Sequence, residues 1–252
     1  FTNFIYNLTM HSLYKYSLIT IFLISCSSEN DKKGIEANFL ISPDYQFSSE
    51  FFECKLNDGF TLLNLESFLS SLVRKESIKS DGNYDIEVFF PKSNYVNEFI
   101  LNLKNYSIDD IYSNFLDELS TAGFDEIAGC KFDKNGYKGL SIIDQEFKEP
   151  AYVNELLSCN YNDGFNYGTF RVAIDKFANE INNLKIPYEV IYYQTDSSPG
   201  SFIWINNFYS KDFSDVISTN WINNPEANEI KNEFEENASC IDAKMYDAFL
   251  IT

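Results

Sequence analysis

The sequence predicts an α+β fold built as a tandem duplication of βαββαβ modules with antiparallel sheets. Three observations carry this. The phrase CKLNDGF at 54–60 returns as CNYNDGF at 159–165, 105 positions later. The apolar stripe of the helix that follows each phrase is repeated at the same offset. Around those helices lie short runs in which apolar and polar residues alternate, the period of a strand with one buried face. A repeat of this length divides the 252 residues into upstream residues plus a leader (1–26), a tether (27–48), a first module (49–148) and a second (149–252).

In the first module, Phe51 to Leu56 alternates and is rich in aromatics, so it reads as a strand. Asn57-Asp58-Gly59 is a turn, with a glycine free to take positive φ. Asn64 is the expected N-cap of a helix whose inner face is Leu65, Phe68, Leu69, Leu72 and Val73. Residues 84–90 and 99–104 alternate and give two more strands. Ser107 then caps a second helix, with Asp109 and Asp110 in its first turn, where carboxylates favour the dipole, and Ile108, Ile111, Tyr112, Phe115 and Leu116 facing inward. A final strand begins near Cys130. Asp133-Lys134-Asn135-Gly136 reads as a hairpin turn before 137–143, because the downstream glutamate that a calcium loop needs is missing.

The second module repeats this order. Residues 155–161 form its first strand and Thr169 its N-cap, followed by Phe170, Ala173, Ile174, Phe177 and Ala178, each 105 after its counterpart. Strands are expected at 188–193 and 201–206. Asp212 begins the second helix, with Phe213, Val216, Ile217 and Trp221 inward, and Pro225 ends it. Glu226, Glu229, Glu233, Glu235 and Glu236 fall in an insertion and read as a solvated helical face rather than a metal site. Cys240 opens the last strand.

Composition narrows function by exclusion. The only histidine, His11, lies in the leader, so the chain after residue 26 has no imidazole, which removes histidine triads and histidine-ligated zinc or haem. Arg74 and Arg171 are the only arginines, leaving little for bidentate recognition of phosphate. A formal charge of −19 repels nucleic-acid backbones, so no nucleic-acid partner is expected, and no cofactor either.

From Met10 the chain reads MHSLYKYSLITIFLISC: a weakly basic start at Lys15, an apolar run from Leu18 to Ile24, then Leu23-Ile24-Ser25-Cys26 in the lipobox pattern. It resembles a bacterial lipoprotein signal peptide. The apolar run is far shorter than the roughly 20 residues that span a bilayer. The resemblance implies cleavage before Cys26, diacylglycerol on its sulfur and a lipid anchor in a membrane facing an extracytoplasmic space. Ser27 would direct it to the outer membrane in a Gram-negative cell. Residues 1–9 read as lying upstream of the start. The tether has a root-mean-square reach of roughly 25 Å, and its Phe39-Leu40-Ile41 patch is expected to dock on the first module.

The βαββαβ order resembles the ferredoxin-like, split-βαβ arrangement. In that fold the first and last strands are antiparallel neighbours. This favours Cys54–Cys130 and Cys159–Cys240 as cross-strand disulfides, each closing a loop worth roughly 4 kcal/mol in the chain-entropy model. The alternative, four thiolates on one metal, lacks a CxxC pair.

Together the modules resemble the dimeric α+β barrel superfamily, with the two sheets packed face to face in one chain as a monomer with an internal pseudo-two-fold. The resemblance implies monooxygenases, isomerases or haem enzymes, and the missing axial histidine excludes the last. Opposite the face that bears Phe52, Cys54 and Leu56 lie mixed residues, among them Phe51, Glu53, Asn102, Lys104, Ile191 and Tyr193. They suit a sheet-to-sheet interface with a cavity, and equally a solvated face. Glu87 and Glu189, aligned in the second strands between apolar neighbours, are the candidates for a buried acid or base. Asn57, Asp58, Asn162 and Asp163 are candidates for a pocket mouth, but a turn in which Asn and Asp serve backbone hydrogen bonds is the preferred reading. The preferred function is a membrane-anchored lipoprotein that binds a small ligand or partner protein through its sheets. The alternatives are an extracytoplasmic cofactor-free oxygenase or isomerase using a buried carboxylate and tyrosines, and a structural envelope component.

Overall fold

The computed structural model describes residues 42–74, 84–92, 97–106, 112–131, 136–144, 148–210 and 221–251. Cys26, the Phe39-Leu40-Ile41 patch, the segment from Ser107 to Ile111, Asp133 to Asn135, and Asp212 to Ile217 lie outside these. Nine strands are described: β1 (Phe47–Leu56), β2 (Tyr84–Pro91), β3 (Glu98–Asn105), β4 (Ala128–Lys131), β5 (Tyr137–Ile143), β6 (Ala151–Tyr161), β7 (Tyr188–Gln194), β8 (Ser201–Phe208) and β9 (Ala238–Ile251). The described helices are α1 (Leu62–Val73), α2 (Tyr112–Thr121), α3 (Phe124–Ile127), α4 (Tyr167–Leu184) and α5 (Pro225–Asn237).

The fold is α+β with one antiparallel sheet, and the sheet closes on itself. Its strands run β3-β2-β9-β6-β8-β7-β5-β1, and β1 pairs again with β3, which completes an eight-stranded barrel. The expectation that two sheets pack face to face is therefore corrected: they join edge to edge. The seams come from the last strand of each half. β9 pairs with β6 over its full length and also presents Tyr246 to Ile251 to β2, in register Pro91↔Tyr246 to Ile86↔Ile251. In the other half, β5 pairs with β7. Closure leaves no long unpaired edge among these eight strands to recruit another chain.

β4 and β5 do not form a hairpin, contrary to the reading of the Asp133–Gly136 stretch. Both pair with β1, β4 at Glu53–Leu56 and β5 at Phe47–Ser49, so together they make one interrupted strand. Side-chain alternation sorts the barrel into two surfaces. One face of β1 to β3 packs Phe52, Leu101 and Val88 against Leu65, Leu69 and Leu72 of α1 and Phe115 of α2. The corresponding face of the second half packs Val190, Tyr192 and Trp204 against Phe170, Ile174 and Phe177 of α4 and Ile230 of α5. The other face of both halves forms a third core inside the barrel, with Phe47, Phe89, Tyr152, Ile191, Tyr193 and Ile205.

The helix starts differ from expectation by one turn. Thr61 caps α1 and Asn166 caps α4, while Asn64 and Thr169 are the third helical residues of reciprocal capping boxes, each bonding back to the cap's backbone N–H. Pro225 begins α5 rather than ending a helix: it occupies the first turn, where its missing N–H costs nothing, behind the Asn224 cap. The acidic stretch is thus an amphipathic helix, with Ala227 and Ile230 buried and Glu226, Glu229, Glu235 and Glu236 exposed. Cys54–Cys130 and Cys159–Cys240 are both disulfides, each between directly opposed residues of neighbouring strands with Cα atoms 4.0 Å apart.

Candidate functional site

The barrel interior is where polar residues concentrate. On β2, Ile86 and Val88 turn to the helices, so Glu87 and Phe89 turn inward; on β7, Tyr188, Val190 and Tyr192 face the helices and Glu189, Ile191 and Tyr193 face in. Glu87 is 4% exposed and Glu189 is fully buried. Such carboxylates require partners, and each has a set built by the neighbouring strands.

Around Glu87, Asn102 Nδ2 donates to Oε2 at 2.8 Å and the Tyr152 hydroxyl to Oε1 at 2.7 Å, while Ser49 Oγ donates to the Asn102 carbonyl. Around Glu189, Asn207 Nδ2 and the Tyr209 hydroxyl donate to Oε2 at 2.7 and 2.8 Å, and Asn154 Nδ2 donates to the Asn207 carbonyl at 2.7 Å. Lys148 Nζ lies 2.7 Å from Oε1. Ser49 and Asn154 are separated by the 105-residue offset, as are Asn102 and Asn207. The two relays are therefore one design used twice. They differ where Lys104 of the first half is matched by Tyr209 of the second. Lys104 is itself buried, with Nζ 4.2 Å from the centre of the Phe47 ring and 5.2 Å from that of Tyr106.

The pair is electrostatically split. Burial pushes the Glu87 carboxyl above its ordinary range and the charge of Glu189 adds to this, against the opposing pull of Lys104. Burial acts on Glu189 in the same sense, but Lys104, Lys148 and the bonds from Lys148 and Asn207 outweigh it and hold that carboxyl below its ordinary range. Burial first, and the carboxylates second, push the Tyr152 and Tyr209 phenols up. Glu87 is thus the weaker acid of the pair and Glu189 the stronger, a split in the sense that acid–base chemistry uses.

A cleft of about 810 Å³ reaches this network from outside. Its wall includes Tyr152 and Tyr209, whose ring centres are 5.0 Å apart, together with Phe60, Phe90, Phe208 and Phe249. Glu87 and Glu189 are not in that wall; the two tyrosines stand between them and the cleft. A second cavity, about 720 Å³, opens beside Cys54 and is lined by Lys55, Lys92, Lys131 and Lys244 as well as Glu53 and Glu98. Among the described residues no group of three or more acidic, cysteine or histidine side chains is placed to hold a metal.

The structure brings Glu87 and Glu189 into one barrel and places the other candidates elsewhere. Asn57 Nδ2 donates to the carbonyls of Asp125 and Glu126 at the end of α3 at 2.9 and 3.0 Å. Asn162 Nδ2 does the same for Glu235 and Glu236 at the end of α5, at 3.0 and 2.9 Å. Asp58 and Asp163 are exposed beside Gly59 and Gly164, whose φ values of 89° and 87° need glycine. Tyr152, Tyr209, Asn154, Asn207, Ser49 and Lys148 had not been anticipated. The 105-residue offset linking Ser49 with Asn154, and Asn102 with Asn207, is the sequence signal that marks three of them.

No protein-family description matches the sequence, and no curated protein is similar to it. Solved structures are. A candidate monooxygenase from Lactobacillus acidophilus superposes with a TM-score of 0.51 at 11% identity, over 81% of this chain and 96% of that one. A candidate monooxygenase from Fusobacterium nucleatum gives 0.51 at 8%, over 83% and 94%. A candidate chlorite dismutase gives 0.52 at 9%, over 82% and 94%. At these identities the likeness is one of fold, and the fold is the dimeric α+β barrel, here closed within a single chain.

Proposed function

We propose that this is a lipid-anchored, extracytoplasmic binding protein that takes a small, largely apolar molecule into the cleft at Tyr152 and Tyr209. The observation that carries the reading is the cleft itself: its volume is in the range of small-molecule sites, its wall is mostly aromatic and aliphatic, and Tyr152 and Tyr209 lie side by side in it. Asn57 and Asp58 belong to the turn that delivers Phe60 to the cleft wall, and Glu87 and Glu189 fix the two tyrosines from behind. The two halves are read as tandem ferredoxin-like modules in a monomer, with Cys26 as the lipidated residue. Replacing Ala151, an exposed residue of the cleft wall, with Trp fills the space without touching the relay. Binding of an environment-sensitive apolar dye to the intact protein should fall at least tenfold; unchanged binding refutes the site. Membrane fractionation tests the anchor, since Cys26→Ser should release the protein.

A second reading has a specific observation in its favour. Glu87 is a buried carboxyl whose acidity is weakened by that burial and which is joined through Tyr152 to the cleft, and proteins of the same fold include candidate monooxygenases. A cofactor-free oxygenase or isomerase would use such a group as acid or base. Oxygen uptake or isomerisation that Glu87→Gln abolishes while dye binding persists would establish this reading over simple binding.

A further inference from the structure

We infer that the ligand of the Tyr152–Tyr209 cleft is an organic cation, an alkyl- or arylammonium; this rests on the binding reading above and gives it a chemical class. Six rings, Phe60, Phe90, Tyr152, Phe208, Tyr209 and Phe249, line the cleft. The face of an aromatic ring carries negative potential, so a cage of rings favours a diffuse cation over a neutral molecule of the same shape. Tyr209 is enriched further, because it donates its hydroxyl to the Glu189 carboxylate, which moves electron density into the phenol.

The charges agree with the rings. Among the described residues, the charged side chains in the wall are Glu149 and Asp247, both acidic, and none is a lysine or arginine. The nearby lysines are engaged away from the cleft: Lys92 pairs with Asp247 at 3.1 Å from outside the wall, and Lys148 with Glu189 inside the barrel. An anion would enter without a basic partner and against the field of a chain carrying −19. A cation is drawn by that field and needs no dedicated hydrogen-bond partner, since quaternary ammonium groups are held by ring faces. Among the described residues the lysines gather instead around the cavity beside Cys54.

The test uses three probes of one shape: phenyltrimethylammonium, neutral tert-butylbenzene and anionic 4-tert-butylbenzoate, each titrated against the intact protein with tyrosine fluorescence or NMR shifts as the readout. The cation should bind about tenfold tighter than the neutral isostere, the benzoate should bind weakest, and the cation's advantage should shrink severalfold in the Glu149→Gln/Asp247→Asn variant and at high salt. Equal or tighter binding of either other probe overturns the cation assignment while leaving the cleft as a binding site. Failure of all three to bind overturns the binding reading as well. Circular dichroism of the variant guards against loss of fold.

Discussion

The Tyr152 hydroxyl donates to Glu87 Oε1 at 2.7 Å, and in doing so ties β6 of the second half to β2 of the first across the space inside the barrel. Its counterpart 105 residues earlier is Phe47, which has no hydroxyl to offer Glu189; the first half reaches Glu189 through Lys148 instead, at 2.7 Å. Tyr152→Phe keeps the ring in place and leaves Glu87 with Asn102 as donor. Losing a buried hydrogen bond to a carboxyl should cost about 1–3 kcal/mol. Urea unfolding reads this as a lower midpoint at unchanged slope.

Glu189 pairs with Lys148 at 2.7 Å, and among the described residues Glu87 has no cation that near. Glu189→Gln leaves Lys148, and Lys104 behind it, without their anion. Removing one member of a buried pair should destabilise the protein by about 3 kcal/mol or more near neutral pH. The Glu189→Gln/Lys148→Met double variant should recover part of the loss, and a double variant as unstable as the single one would show that the pair is not coupled.

The two carboxyls impose opposite pH dependences. Glu87 is raised on folding, so its contribution to stability is complete below the ordinary glutamate range and is lost as pH rises through the elevated value. Glu189 is lowered, so its contribution is complete above the ordinary range and is lost as pH falls through the depressed value. Across a denaturation series from acid to neutral pH, Glu87→Gln should therefore gain on the wild type as pH rises. Glu189→Gln should fall further behind it. Parallel curves for the wild type and Glu87→Gln would mean that Glu87 titrates normally.

Gly139 is where the barrel needs the absence of a side chain. It sits opposite Phe47, and a Cβ at this position would lie 2.0 Å from the Phe47 ring, which is itself buried against Tyr193. Gly139→Ala should cost about 1–3 kcal/mol through overpacking. The Phe47→Leu background should relieve much of that cost, as measured by thermal unfolding of the two variants.

What could be read from the chain was what repeats or is local. The stripes Leu65-Leu69-Leu72 and Phe170-Ala173-Ile174-Phe177 face the cores expected of them, and both cysteine pairs formed as expected. Glu87 and Glu189 were recognisable because each is a lone charge between apolar neighbours in a strand. The seams were not legible, since nothing around Ile86 names Ile251 as its partner. Asn64 and Thr169 look like caps because a capping box has two polar residues three apart, and either suits the cap. Pro225 is ambiguous because proline ends helices from within and begins them from the first turn. Lys148 lies between strands, where no periodicity marks which way a side chain points.

The seam between β2 and β9 joins Ile86 to Ile251, 165 positions apart. Contacts that distant make loop closure a large part of the folding barrier. Because β9 pairs with both β6 and β2, the barrel cannot close before β9 is in place, and displacing β9 would leave β2 with a bare edge open to pairing with another chain.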